Sequence, residues 1–207
     1  WNDQLDGYRR GVLWIDGKVV ELHNTGINGD IIGAPPGEPL GANASGSVVV
    51  GQGYLDDSFQ SQAWRWTLAG GTEPIGIIFP PPAPPQIQRA ISRMPVQPGA
   101  FADARYKPYG FFSPPASYAL SVSADGNTIV GNTSDGFTTA AFLWTAADGT
   151  VLRSDYAAAR DIPVPEGFFM TSANSVTPDG LTIAGNGLDP SGEHFVPWVM
   201  DLRDASD

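Results

Sequence analysis

The sequence predicts an all-β fold, and three observations carry the prediction. The first is composition. Among 207 residues there are 25 glycines and 19 prolines, while charged residues make up only 16%. Turn formers are thus abundant, Val, Ile and Thr are frequent, and the long charged side chains that favour helices are scarce. The second observation is a series of short β-branched segments separated by Asp-Gly pairs, the pattern of strands joined by hairpins. The third is a repeat. "GANASGSVVVGQGYLDDSFQSQAWRWTLAGGTEPIG", "YALSVSADGNTIVGNTSDGFTTAAFLWTAADGTVL" and "SANSVTPDGLTIAGNGLDPSGEHFVPWVMDL" are three versions of one pattern.

In chain order, residues 9–22, "RRGVLWIDGKVVEL", match only the second half of the unit, with Asp16-Gly17 as the hairpin turn. The first full copy spans 41–76. Its turn reads Ser45-Gly46 where Asp-Gly is expected, and in its Trp strand Ala63 and Arg65 alternate with Trp64 and Trp66. That alternation places both indoles on one face of a half-buried strand. The second copy, 118–153, divides into "YALSVS", "NTIVG", "AAFLW" and "TVL", with Asp125-Gly126 and Asp148-Gly149 supplying the positive φ angles of tight turns. Phe142 and Trp144 take the places of the two indoles. A connecting segment, 154–171, leads to the third copy at 172–202.

Gly51, Gly131 and Gly185 correspond, as do Trp66, Trp144 and Trp198. Tryptophans at repeat positions are expected in the core, with Trp1 outside any copy. The second and third copies recur at 54 residues, the size of one supersecondary unit, and the insertion lengthens the step from the first copy to the second. Tandem four-stranded units are how β-propellers are built, so the predicted architecture is a β-propeller-like array of about three and a half copies. A β-solenoid or sandwich is the alternative, and the period suits a solenoid rung less well.

The run "A-x-x-V-S-x-D-G-x-x-I-V-G", followed by "A-F-L-W" and a Gly turn, resembles the bacterial HAF-type extracellular repeat family. "DYAAARDIPVPEGFFMTSANSVTPDGLTIAGNG" is similar to the end of those proteins, where a short helical segment precedes the last repeat. The resemblance covers nearly the whole chain except the insertion. It implies a secreted or surface-exposed protein of propeller-like architecture, sometimes an autotransporter passenger, and it brings no catalytic residues. The family usually has more copies. The first half of the opening unit is therefore expected from another chain or from an N-terminal part lost from this one, unless "INGDIIGA" (27–34) is recruited. The absence of an initial Met or a signal-peptide pattern also leads us to expect a processed or trimmed chain.

Residues 77–117 interrupt the repeat. They hold ten of the nineteen prolines, which excludes a central strand and favours extended backbone, with a short helical turn at Gln86–Met94. Their net charge is +3, so the rest of the chain carries −14 of the total −11. A long loop on a rigid scaffold is where binding tends to sit. The candidate binding residues are Arg89, Arg93, Arg105, Tyr106, Lys107, Tyr109, Phe111 and Phe112, whose rings and cations suit a glycan, a partner subunit, or the chain's own surface.

Other functions are disfavoured. An acidic chain is not a general phosphate-backbone binder, so no nucleic-acid partner is expected. Without cysteine there is no disulfide, thiolate catalysis or Cys-ligated zinc. No apolar run reaches 18 residues, so membrane insertion is not expected. His194, beside Asp189 and Glu193, reads as a solvated turn, and no G-x-S-x-G motif is present. Asp56, Asp57, Asp125, Asp135, Asp148 and Asp179 match neither the EF-hand loop nor the nonapeptide calcium-repeat spacing, and turn geometry alone explains most of them. No cofactor and no metal are expected. The functional expectation is a non-enzymatic structural protein, extracellular or at a bacterial cell surface, that self-assembles or adheres through open strand edges and the insertion. A lectin-like, carbohydrate-binding propeller using 106–112 is the alternative.

Overall fold

A computed structural model describes residues 11–22, 37–54, 60–80 and 115–203, together with Pro82, Pro85, Gln88 and Arg89. The fold is all-β. Strands β1 (Val12–Ile15) and β2 (Lys18–Glu21) form a two-stranded hairpin. Strands β3 (Glu38–Ala42), β4 (Val48–Tyr54), β5 (Ser61–Thr67) and β6 (Gly71–Gly76) pair antiparallel in succession. The same succession joins β7 (Ala116–Val122), β8 (Thr128–Ser134), β9 (Thr139–Thr145) and β10 (Gly149–Leu152). After helix α1 (Arg153–Ala158) come β11 (Phe169–Val176), β12 (Thr182–Leu188) and β13 (Phe195–Asp201), a three-stranded sheet. One parallel bridge, Ser61 to Ala116, joins the first and second groups into an eight-stranded sheet, and no sheet closes on itself among the described residues.

We call β3–β6, β7–β10 and β11–β13 the first, second and third units. The first unit opens with β3 at Glu38, the second with β7 at Ala116 and the third with β11 at Phe169. The stretch 27–34 lies outside the described residues.

The glycine row has one physical cause. Gly51, Gly131 and Gly185 pair with Trp64, Phe142 and Trp198 across the sheet. A Cβ on Gly131 would stand 1.9 Å from the Tyr118 carbonyl oxygen and 2.9 Å from the Phe142 ring, and Gly51 and Gly185 are as tight. Only glycine lets the ring lie flat over the second strand while the bulged first strand approaches from the other side. The bulges fall between Pro39 and Gly41, Ala119 and Ser121, and Ala173 and Ser175. This register corrects the tryptophan alignment. Trp198 is the counterpart of Trp64 and Phe142, and Met200 that of Trp66 and Trp144. The β8–β9 loop is two residues shorter than the β12–β13 loop, so equal spacing from the glycine does not mean equal position.

The turns also differ from expectation. Asp16 and Gly17 both take positive φ, 50° and 74°, and make the two-residue hairpin. At Asp125-Gly126 and Asp148-Gly149 only the glycines do, with φ of 77° and 70°. Both loops are longer, and the aspartates act through their side chains. Asp125 accepts hydrogen bonds from the Asn127 amide at 3.0 Å and the Ser123 hydroxyl at 2.5 Å. In the first unit the Asn43 side chain holds the turn instead, accepting from the Val48 amide at 3.0 Å.

The core lies between units rather than inside any one of them. Leu13, Val20 and Leu22 of the hairpin pack on Val49, Trp64 and Trp66. The other face of the first unit, with Val48, Val50 and Ala63, packs on Ala119, Val122, Ile129 and Phe142. The far face of the second unit, with Val130, Ala141 and Leu143, packs on Ala173, Val176, Ile183, Trp198 and Met200. The strand alternation read from the sequence therefore serves two interfaces per unit, one on each face.

Candidate functional site

The two ends of this stack differ from its interior, and they are the candidate site. Within the stack each unit is held to the next by polar contacts as well as apolar ones. The Asn43 amide nitrogen donates to the Ala124 carbonyl at 2.9 Å, and the Ala124 amide donates to the Pro178 carbonyl at 2.8 Å. The Ser121 hydroxyl accepts the Val176 amide at 3.2 Å. Gly126 sits so close to Val48 that a Cβ would meet its side chain at 2.5 Å.

At the C-terminal end no described unit packs on the corresponding positions. Val199 occupies the place of Leu143, Ala184 that of Val130, and Ser175 that of Ser121. Leu143 is fully buried, whereas Val199 is 73% exposed. Phe195, Pro197 and Leu181 are exposed with it, and no hydrogen bond is made by the Ser175 hydroxyl among the described residues. The outer edge of β13 pairs with no strand there either.

The hairpin at the other end shows the complementary situation. Trp14 and Val19 pair across β1 and β2, and they are the counterparts of Trp66 with Thr72 and of Trp144 with Thr150. Trp66 and Thr72 are buried, but Trp14 is 71% and Val19 60% exposed. This corrects the expectation that every repeat tryptophan is core. Trp14 faces the side on which a preceding unit would stand, and no described residue stands there.

A second region collects the connections that follow the second and fourth strands of the units. The β4–β5, β8–β9 and β12–β13 loops, the insertion and the α1 segment all leave from one end of the strands, and the tight turns from the other. Exposed Phe79, Phe137 and Phe195 lie at the loop-bearing end. The insertion is tied down at both roots. The Thr133 hydroxyl donates to the Ile78 carbonyl at 2.7 Å, and the Ser117 hydroxyl donates to the Gly76 carbonyl at 2.9 Å. Of the candidate binding residues, Arg89 is helical and exposed. Arg93, Arg105, Tyr106, Lys107, Tyr109, Phe111 and Phe112 lie outside the described residues.

His194 and Asp189 form a turn. The imidazole Nδ1 is 3.0 Å from an Asp189 oxygen that faces solvent, and the Ser191 hydroxyl first, with His194 and backbone amides, holds that carboxyl far below the usual range. Asp125 and Asp179 are lowered in the same manner, by the Ser123 and Thr177 hydroxyls and then by backbone amides. Among the described residues no group of three or more His, Asp or Glu is placed to hold a metal ion, and no helix is long and apolar enough to cross a membrane.

Sequence reasoning missed Arg153. Its side chain is wholly buried where α1 meets the third unit, and burial pushes its pKa down to about 10. It lies against the Met200 sulfur and over the Tyr156 ring at 5.1 Å, while Arg160 covers the same ring at 3.6 Å. Nothing local in "TVLRSDYAAAR" distinguishes this arginine from a solvated one.

No family model matches the chain, and no curated protein does. Among solved structures it is similar to TolB from Acinetobacter baumannii, with 10% identity and a TM-score of 0.43 over 90% of this chain. The match covers 33% of that protein, so the chain spans about a third of its length.

Proposed function

We propose that this chain is a non-enzymatic structural protein, a propeller-like array of four-stranded units that works by association. Its partner is a further copy of itself, and its place is outside the cell or on a bacterial cell surface, as the resemblance to HAF-type repeats implies. The observation that supports this reading is the pair of exposed apolar sheet faces at the ends that no described unit covers, occupying positions that the interior units bury. Exposed contiguous apolar surface of this kind marks interaction sites, and an open strand edge adds backbone groups able to pair. The test is the solution mass of the chain by light scattering over a wide concentration range. Growth of mass with concentration is expected. A monomer throughout overturns the reading.

The roots of the insertion and the exposed phenylalanines gathered at one end of the strands favour a second reading, a carbohydrate-binding propeller with the insertion as its binding arm. Titration with oligosaccharides separates the two. Saccharide binding that is lost in Tyr109→Ala, in a chain that stays monomeric, replaces the first reading with the second.

A further inference from the structure

The same two positions of the third strand recur at every contact between units. The outward position is held by Leu13, Arg65, Leu143 and Val199, and the next residue by Trp14, Trp66, Trp144 and Met200. At the first contact Leu13 packs in the cluster that contains Trp66. Across the second, the Arg65 guanidinium lies over the Trp144 ring, 5.8 Å from its centre. In the third, Leu143 and Met200 share one cluster. Two members of the series are left over: Val199 at one end and Trp14 at the other. Both are exposed, and they are the two halves of one more contact of the same kind.

We infer that two copies of this chain join head to tail, with the Val199 face of one receiving the Trp14–Val19 face of the next. This rests on the reading of the protein as a self-associating array, and it names the surfaces. Continuity with the three internal contacts selects the occupant, because a second copy presents the counterpart of the residues that cover Arg65 and Leu143. One internal link does not recur. Ala124 reaches the following turn through its N–H, and Pro178 at that place has none. The contact between copies therefore rests on the sheet faces and is weaker than the contacts within the chain. Because it is heterologous, it leaves each pair with one free face of each kind, and growth continues into a ring or a filament.

The experiment uses the full chain and two variants, Val199→Asp and Trp14→Asp, both at exposed sites. Thermal unfolding of the dilute monomers checks that each still folds. Each variant alone is expected to raise the concentration of half-association by at least about tenfold, since a charge is placed on an apolar contact. Mixed together they are expected to form a capped one-to-one dimer that grows no further, because each retains the face that the other lacks. Wild-type association that is untouched by Val199→Asp overturns the inference while leaving the assembly reading in place. Loss in Val199→Asp with none in Trp14→Asp points to a symmetric face-to-face pair and overturns it as well. A wild-type chain that is monomeric at every concentration overturns both.

Discussion

Strands β9 and β13 are each the third strand of a unit, yet they have opposite surroundings. Both alternate side chains between two faces. In β9, Phe142 and Trp144 point to the preceding unit and Ala141 and Leu143 to the following one, and three of the four are fully or almost fully buried. In β13, Trp198 and Met200 are buried against the second unit, while Val199 faces outward at 73% exposure. Val and Leu differ little in hydrophobicity. What differs is the presence of a neighbour. A unit of this type has no inside of its own, because each sheet is a single layer whose core is completed by the adjacent sheets.

The largest effect that sharpens this comparison is a truncation at the paired positions. Leu143→Ala is expected to cost about 2–5 kcal/mol of stability, the range for a cavity at a site that cannot collapse. Val199→Ala is expected to stay within about 0.5 kcal/mol in dilute solution, as for an exposed position. Chemical denaturation of the two variants checks both values. A comparable loss at Val199 would mean that its face is covered after all.

Next in size is the pair of turn glycines. Gly46 and Gly126 have nearly the same positive φ, 69° and 77°, but only Gly126 abuts a neighbouring unit, at Val48. Alanine at Gly46 pays the left-handed backbone penalty alone, about 1–2 kcal/mol. Alanine at Gly126 adds overpacking against Val48, about 1–3 kcal/mol more. Equal losses, measured by unfolding midpoints, would break the view that this turn is a contact between units.

The smallest expected effect is acid sensitivity. Hydrogen bonds lower Asp125 and Asp179 below the ordinary value of 3.8. Their stabilisation is therefore present above that value and is lost as pH falls through the lowered folded values. The Asn43 turn has no carboxylate at this place and lacks this dependence. Amide exchange at Asn127 and Leu181 is expected to rise on acidification relative to that at Val48. Asp125→Asn should flatten the response at Asn127 alone.

These contrasts separate what is legible in a linear chain from what is not. Turn chemistry and strand alternation are local, so the strands of the second copy, the hairpin at Asp16-Gly17 and the shared face of Trp64 and Trp66 follow from a few consecutive residues. The glycines at 51, 131 and 185 are likewise visible as a row, although their reason, a carbonyl and an aromatic ring on either side, is not. The repeat alignment misplaced Trp198, because register depends on how many residues the preceding loop consumes, and two loops of different length shift the count. It also placed Trp14 in the core. Whether a repeated side chain is covered is decided by the unit beyond it, and Trp14 and Val199 carry no local mark that no described unit covers them. The burial of Arg153 has the same origin, since α1 reaches the third unit only once the sheets are stacked. The sequence by itself determined an all-β chain, the bounds of its hairpins and the residues able to form a core. Only the tertiary structure decided which faces of those hairpins are core and which are surface, because burial belongs to the space between units and not to any segment of the chain.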